Sequence, residues 1–203
     1  VRVRVRVRDE IETMLRKKYN KVSCNSEYPL PYVGHMIDQH GDGGFKLSMP
    51  GHIEKMMTEF GTSGTARTPA TECLFKIDEE SPKLDERETK VFHTKTASLL
   101  YVATRVRPDI QTTVNFLSSR VREPTEEDQR KLDRVLKYVN GTKETGIVFD
   151  GEMKLEAYID ASHSVHKDRK SHTGACIMLM DGPIYTTSVK QKVISKSSTD
   201  AEL

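Results

Sequence analysis

The chemistry on offer in this sequence rests chiefly on two acids. Asp160 stands in Glu156-Ala157-Tyr158-Ile159-Asp160-Ala161-Ser162, a run that reads as a strand. A carboxylate near the end of a buried strand is costly to desolvate unless it is paired or bound to a metal. Glu202 lies in Ser197-Ser198-Thr199-Asp200-Ala201-Glu202, which reads as a helix N-terminus after three strands. An acid on a strand and an acid on a neighbouring helix could hold a hard divalent cation such as Mg²⁺. Spacing alone leaves plainer readings open, with Asp160 an ordinary strand-end acid and Glu202 a first-turn partner of the helix dipole. His163 and His166, three apart in a loop, could bind metal, but such a pair is expected in solvent. Cys24, Cys73 and Cys176 are odd in number, far apart and without a CxxC spacing. They argue against a disulfide framework or a Cys-based zinc site and fit a reducing compartment, cytoplasmic or nuclear.

The elements that must position these acids follow from pattern. The chain has 203 residues, 35% hydrophobic and 31% charged, which is apolar enough for a core. No apolar run approaches the roughly 20 residues of a membrane span, and the N-terminus lacks a signal-peptide core. With 32 Lys and Arg against 30 Asp and Glu, a net charge of +2, any basic surface must come from local clustering. Both ends look like cuts.

Residues 1–8 read Val-Arg four times, a strand alternation that is either low-complexity or a basic strip suited to phosphate. A helix is expected over 9–18, ending on Arg16, Lys17 and Lys18. Residues 32–38 and 45–49 read as strands joined by a Gly-rich turn. Ile53, Met56, Met57 and Phe60 mark one helix face. Residues 62–85, rich in Gly, Pro, Ser and Thr, read as a long surface linker. A helix over 85–106 is interrupted by Pro108, and Asp109 caps the next. Thr125 caps a third, with Asp128 at the capping-box position and Gly141 supplying a left-handed stop. From Gly146 the pattern turns to strands, with Asp181-Gly182-Pro183 as a turn.

Several of these segments resemble one family. Tyr158-Ile159-Asp160-Ala161, Asp168-Arg169-Lys170-Ser171-His172-Thr173-Gly174, Lys190-Gln191-Lys192 and Ser197-Ser198-Thr199-Asp200-Ala201-Glu202 resemble the ribonuclease H segment of copia-type retrotransposon Pol polyproteins. Leu99-Leu100-Tyr101-Val102-Ala103, Arg107-Pro108-Asp109-Ile110, Arg134-Val135-Leu136-Lys137-Tyr138 and Asn140-Gly141-Thr142 resemble that family's connection. Tyr32-Val33-Gly34 and the helix near 53–60 resemble the end of its palm and the start of its thumb.

The resemblance implies an α+β fold, a helical thumb- and connection-like module followed by a truncated ribonuclease H-like antiparallel sheet. It implies a palm-end and thumb-like remnant over 1–61, a linker and helical connection over 62–145, and a partial ribonuclease H-like domain over 146–203. The family is an RNA-directed DNA polymerase with ribonuclease H. The implied cofactor is Mg²⁺ or Mn²⁺, on Asp160 and Glu202 as catalytic ligands. The implied partners are an RNA–DNA hybrid or other nucleic acid, which Arg169, Lys170 and Ser171 could meet through phosphates, and the remainder of the polyprotein; no membrane is implied. Two departures limit this. No Asp-Asp pair occurs anywhere in the chain, and the family's ribonuclease H uses four carboxylates, of which two are matched. A fragment inactive alone is therefore expected, and a non-catalytic nucleic-acid-binding remnant or degenerate gene product is the alternative.

Overall fold

The computed structural model describes residues 2–24, 27–41 and 43–202, with side chains from residue 7 onward. The chain opens with helix α1 (Arg2–Lys18), which runs through the Val-Arg repeat. This corrects the expected strand. An extended segment needs a neighbour for its backbone groups, and neither sheet places one beside it; a helix satisfies its own, and Arg favours it. Arg16 pairs with Glu12 one turn earlier at 2.6 Å.

Strands β1 (Leu30–Tyr32), β2 (His35–His40) and β3 (Gly44–Ser48) form an antiparallel meander. The single strand expected over 32–38 is broken by a hairpin turn, because Val33 and Gly34 both take positive φ, 47° and 81°. That mirror-image turn matches the right-handed twist of paired strands.

Helices α2 (Pro50–Glu59), α3 (Glu86–Arg105), α4 (Gln111–Ser118) and α5 (Glu126–Gly141) follow. Their apolar stripes close one core around Ile53, Met57, Phe92, Leu99, Val102, Val114, Leu117, Leu132 and Val135, all buried. Each such side chain is worth roughly 1.5–3 kcal/mol of burial. Two helix starts carry reciprocal caps: Asp85 with Glu88 on α3, and Thr125 with Asp128 on α5. The linker before α3 is anchored by Leu74 in the core and by Ser81, whose hydroxyl accepts from the Glu127 amide at 3.1 Å.

Two expected helix signals act differently. Asp109 does not cap a helix; it lies in a 3-10 turn (Pro108–Ile110) and receives a bidentate pair from Arg107, at 2.9 and 2.8 Å. Gly141 does not supply a left-handed stop, because the chain leaves α5 through Thr142 at φ −129°. Thr142 instead accepts from Arg107 at both its carbonyl and its hydroxyl, which ties the end of α5 to the end of α3.

Strand β4 (Ile147–Phe149) returns to pair with β3, so the first sheet has the order β1-β2-β3-β4 and Phe149 stacks on Phe45 at 4.7 Å. Strands β5 (Leu155–Ser162), β6 (His172–Leu179) and β7 (Gly182–Lys190) then form a second antiparallel meander. The last turn centres on Met180 and Asp181, both at positive φ, one residue earlier than the expected Asp181-Gly182-Pro183. Gly182 lies so close under Phe149 that a Cβ would collide with its ring. Helix α6 (Ser198–Glu202) closes the described chain. The fold is mixed α+β, the class the resemblance implied, with two antiparallel sheets.

The second sheet is held to the helical block at its edge. β7 is an outer strand, and the side-chain amides of Gln111 and Asn115 on α4 donate to its Thr186 and Ser188 carbonyls, at 3.2 and 2.8 Å. Edge carbonyls that would otherwise need water are satisfied by one helix face.

Candidate metal and nucleic-acid site

Asp160 lies on β5 opposite Gly174 of β6. It is exposed, so the desolvation cost anticipated for a buried acid does not arise, and its Oδ1 accepts from the next backbone amide, Ala161, at 2.8 Å. Gly174 leaves open space beside it. Asp160 opens onto a groove of about 810 Å³ between this sheet face and the start of α4, shared with Tyr158, His172, Cys176 and Gln111.

Glu202 is exposed on α6, and α6 packs against β5, the strand that carries Asp160. One turn of helix is too short to hold itself, since helix nucleation is unfavourable. Side chains hold it instead. Ser197 Oγ accepts from the Asp200 amide at 3.1 Å, and Asp200 Oδ2 accepts from the Lys196 amide at 2.7 Å. Gln191 Nε2 donates both to the Ala201 carbonyl, at 2.6 Å, and to Thr173 Oγ1 of β6, at 2.9 Å, while the Ala201 side chain is buried. Sequence reasoning missed this clamp, although Lys190-Gln191-Lys192 was among the motifs that carried the resemblance.

Arg169, Lys170 and Ser171 end the loop between β5 and β6 but face different surroundings. Arg169 is exposed at φ 61°. Lys170 is half-buried, 3.7 Å from Asp168. Asp168 also pairs with Lys190 at 2.8 Å, and that hydrogen bond holds its exposed carboxyl below the usual value. Ser171 is fully buried; its hydroxyl accepts from the Ser164 amide at 3.2 Å and meets Ser195 Oγ at 3.3 Å, and Ser195 donates to Gln191 at 2.9 Å. One polar chain thus runs from the loop to the base of α6.

His163 is exposed, whereas His166, also expected in solvent, is half-buried. It hydrogen-bonds His172 at 3.0 Å and packs against Phe75, ring centroids 4.8 Å apart. No local pattern could reveal this, because Phe75 comes from the linker and His172 from β6. Among the described residues, no group of three or more His, Cys, Asp or Glu side chains is placed to hold a metal ion, and no helix is long and apolar enough to cross a membrane.

The chain is 30% identical to a putative transposon Ty5-1 protein of Saccharomyces cerevisiae, over 84% of this chain and 57% of that protein. It is 30% identical to an uncharacterized mitochondrial protein of Arabidopsis thaliana, over 84% of this chain and 71% of that one. Over 52% of its length it is 42% identical to the retrovirus-related Pol polyprotein from transposon RE1 of Arabidopsis thaliana, of which it spans 7%. No family model and no solved structure matches the chain.

Proposed function

Because this chain belongs to the copia-type retrotransposon Pol polyproteins, we propose that it supplies the stretch in which reverse transcriptase passes into ribonuclease H. One observation carries this reading. Asp160 lies on the first strand of a three-stranded antiparallel meander, and the helix start that follows, bearing Glu202, packs on that same strand. On this reading residues 1–61 are a palm-end and thumb-like remnant, 62–145 the linker and connection, and 146–203 the first part of ribonuclease H. The complete polyprotein would copy RNA into DNA and cut the RNA of RNA–DNA hybrids, and its partners would be that hybrid and the rest of the polyprotein.

Two exposed carboxylates suit a hard divalent cation, Mg²⁺ or Mn²⁺, but cannot fill its roughly six oxygen positions. Asp160 and Glu202 would hold such an ion weakly, with water completing the shell. Bound there, the ion would supply Lewis acidity toward a phosphodiester. Arg169 and Lys170 would meet nucleic-acid phosphates from the loop, and buried Ser171 would hold that loop to the base of α6. Two carboxylates do not fix a pair of closely spaced ions, so the chain alone would not cleave a hybrid.

The test is a Mn²⁺ titration followed by water-proton relaxation, on the wild type and on Asp160→Asn. Weak binding by the wild type and loss of most of it in the variant are expected. Equal binding by both proteins would remove the metal reading, and robust hybrid cleavage by the wild type would refute the account of the missing carboxylates. Among the described residues no third His, Cys, Asp or Glu side chain joins Asp160 and Glu202 in a metal-holding group, and the second reading is a remnant that binds nucleic acid without metal. Hybrid binding that is independent of Mn²⁺ and unchanged in Asp160→Asn would select it.

A further inference from the structure

A single hydrogen-bonded chain crosses from the loop before β6 to the helical block. His166 Nε2 meets His172 Nδ1 at 3.0 Å, and His172 Nε2 meets Ser188 Oγ of β7 at 2.7 Å. Ser188 Oγ donates to Thr112 Oγ1 of α4 at 2.9 Å. Phe75 of the linker packs on both imidazoles, at 4.8 and 5.1 Å, and on Phe116 of α4 at 5.7 Å. Three strands or loops of the C-terminal sheet, the linker and α4 therefore converge on two rings.

A neutral imidazole offers one N–H and one lone pair, and the Ser188 and Thr112 hydroxyls can rotate to match either tautomer. While at least one ring is neutral, its lone pair can accept across the 3.0 Å contact between His166 Nε2 and His172 Nδ1. When both rings are charged, both of these nitrogens carry N–H, which sets two donors face to face across that contact. We propose that His166 and His172 form a proton-operated latch, closed while at least one ring is neutral and open when both are charged, that fastens the second sheet to α4.

The surrounding charges are mixed. The loop itself brings Lys167, Asp168, Arg169 and Lys170, and β7 brings Lys190; Arg120, just after α4, lines the same cavity and is paired with Asp128 of α5. Lys167 pairs with Glu79 of the linker, Asp168 with Lys190, and on the other side His172 shares its groove with Asp160 and Cys176. Burial lowers the pKa of His166, and Lys190 lowers it further against the opposing pull of Asp168; burial and then His166 lower that of His172. With folded values below the ordinary value of about 6.5, the stabilisation is complete above that pH and is lost as the pH falls below it.

Amide hydrogen exchange of the 203-residue chain at pH 7.5 and 5.0, corrected for intrinsic exchange, reads the latch. Protection over 163–172 and 184–190 is expected to fall roughly tenfold on acidification while 131–139 in α5 stays protected, tenfold being the ratio of one lost hydrogen bond. The double variant His166→Gln, His172→Gln is expected to show the same protection at both pH values. No fall in the wild type, or an equal fall in the double variant, overturns the proposal. Should the variant lose protection in α5, imidazole ¹⁵N titration of the wild type decides: protonations separated by at least about one unit support the latch, and both rings titrating together near 6.5 overturn it.

Discussion

Arg107 is the side chain with most at stake. It is fully buried, yet its guanidinium is matched by both Asp109 oxygens and by Thr142, and it lies 5.4 Å from the Tyr138 ring centroid. Tyr138 in turn donates to Asp109 at 2.9 Å. Burial by itself would raise the Asp109 carboxyl; the Arg107 hydrogen bonds and charge, with help from Tyr138, outweigh it and leave the pKa lowered. Arg107→Met should cost roughly 3 kcal/mol in urea unfolding, because it strands a carboxylate that the fold half-encloses. The lowered pKa has a definite sign. Its stabilisation is present above the unfolded value of about 3.9 and is lost as pH falls through the folded one. The urea midpoint of Asp109→Asn should therefore change less between pH 7 and pH 3 than that of the wild type. Equal pH dependence in the two proteins would show that this carboxyl is not linked to folding.

Among the elements, α5 and α6 make opposite cases. α5 is long, amphipathic and capped by its own residues, since Thr125 Oγ1 accepts from the Asp128 amide and Asp128 Oδ2 accepts from the Thr125 amide. Thr125→Ala should lower global stability by about 1 kcal/mol, as loss of an N-cap does, and the urea midpoint would register it. α6 has no such autonomy. It depends on Gln191, which reaches from the end of β7 to both Ala201 and Thr173. In Gln191→Ala the amides of 200–202 should exchange at rates near those of an unstructured peptide while α5 keeps its protection. Unchanged exchange there would mean that the buried Ala201 contact alone holds the helix start.

On the scale of the whole molecule, the chain lacks an Asp-Asp pair anywhere in its 203 residues. Metal-dependent phosphoryl transfer at a primer end needs carboxylates that hold its cations together. The purified chain should therefore show no primer extension with primer-template and Mg²⁺ above a buffer control, and extension that survives rigorous purification would contradict this. The connection between the sheets is also a property of the whole. β4 leaves the helical block to complete the first sheet, and the amides of Asp150 and Gly151 then donate to the Met180 carbonyl of the second, both at 3.2 Å.

What the sequence by itself determined is local and periodic. The stripes of α2 to α5, the Thr125–Asp128 capping box and the three-strand run that begins with the Asp160 strand are legible because each is written within one turn or one alternation, where sterics and hydrogen-bond geometry act over a few residues. The ordered motifs also identified the family before any geometry was known. Tertiary structure decided whatever depends on residues distant in the chain. The Val-Arg repeat alternates like a strand but is helical from Arg2 onward, and among the described residues no strand pairs with it. Asp109 reads as a cap but pairs with Arg107, and Ser171, expected from the resemblance to meet phosphates, is sealed beside Ser195, 24 positions away. His166 reads as solvated but meets a ring from the linker and another from β6. In each case the deciding contact is made across elements, and local pattern carries no information about which elements will meet.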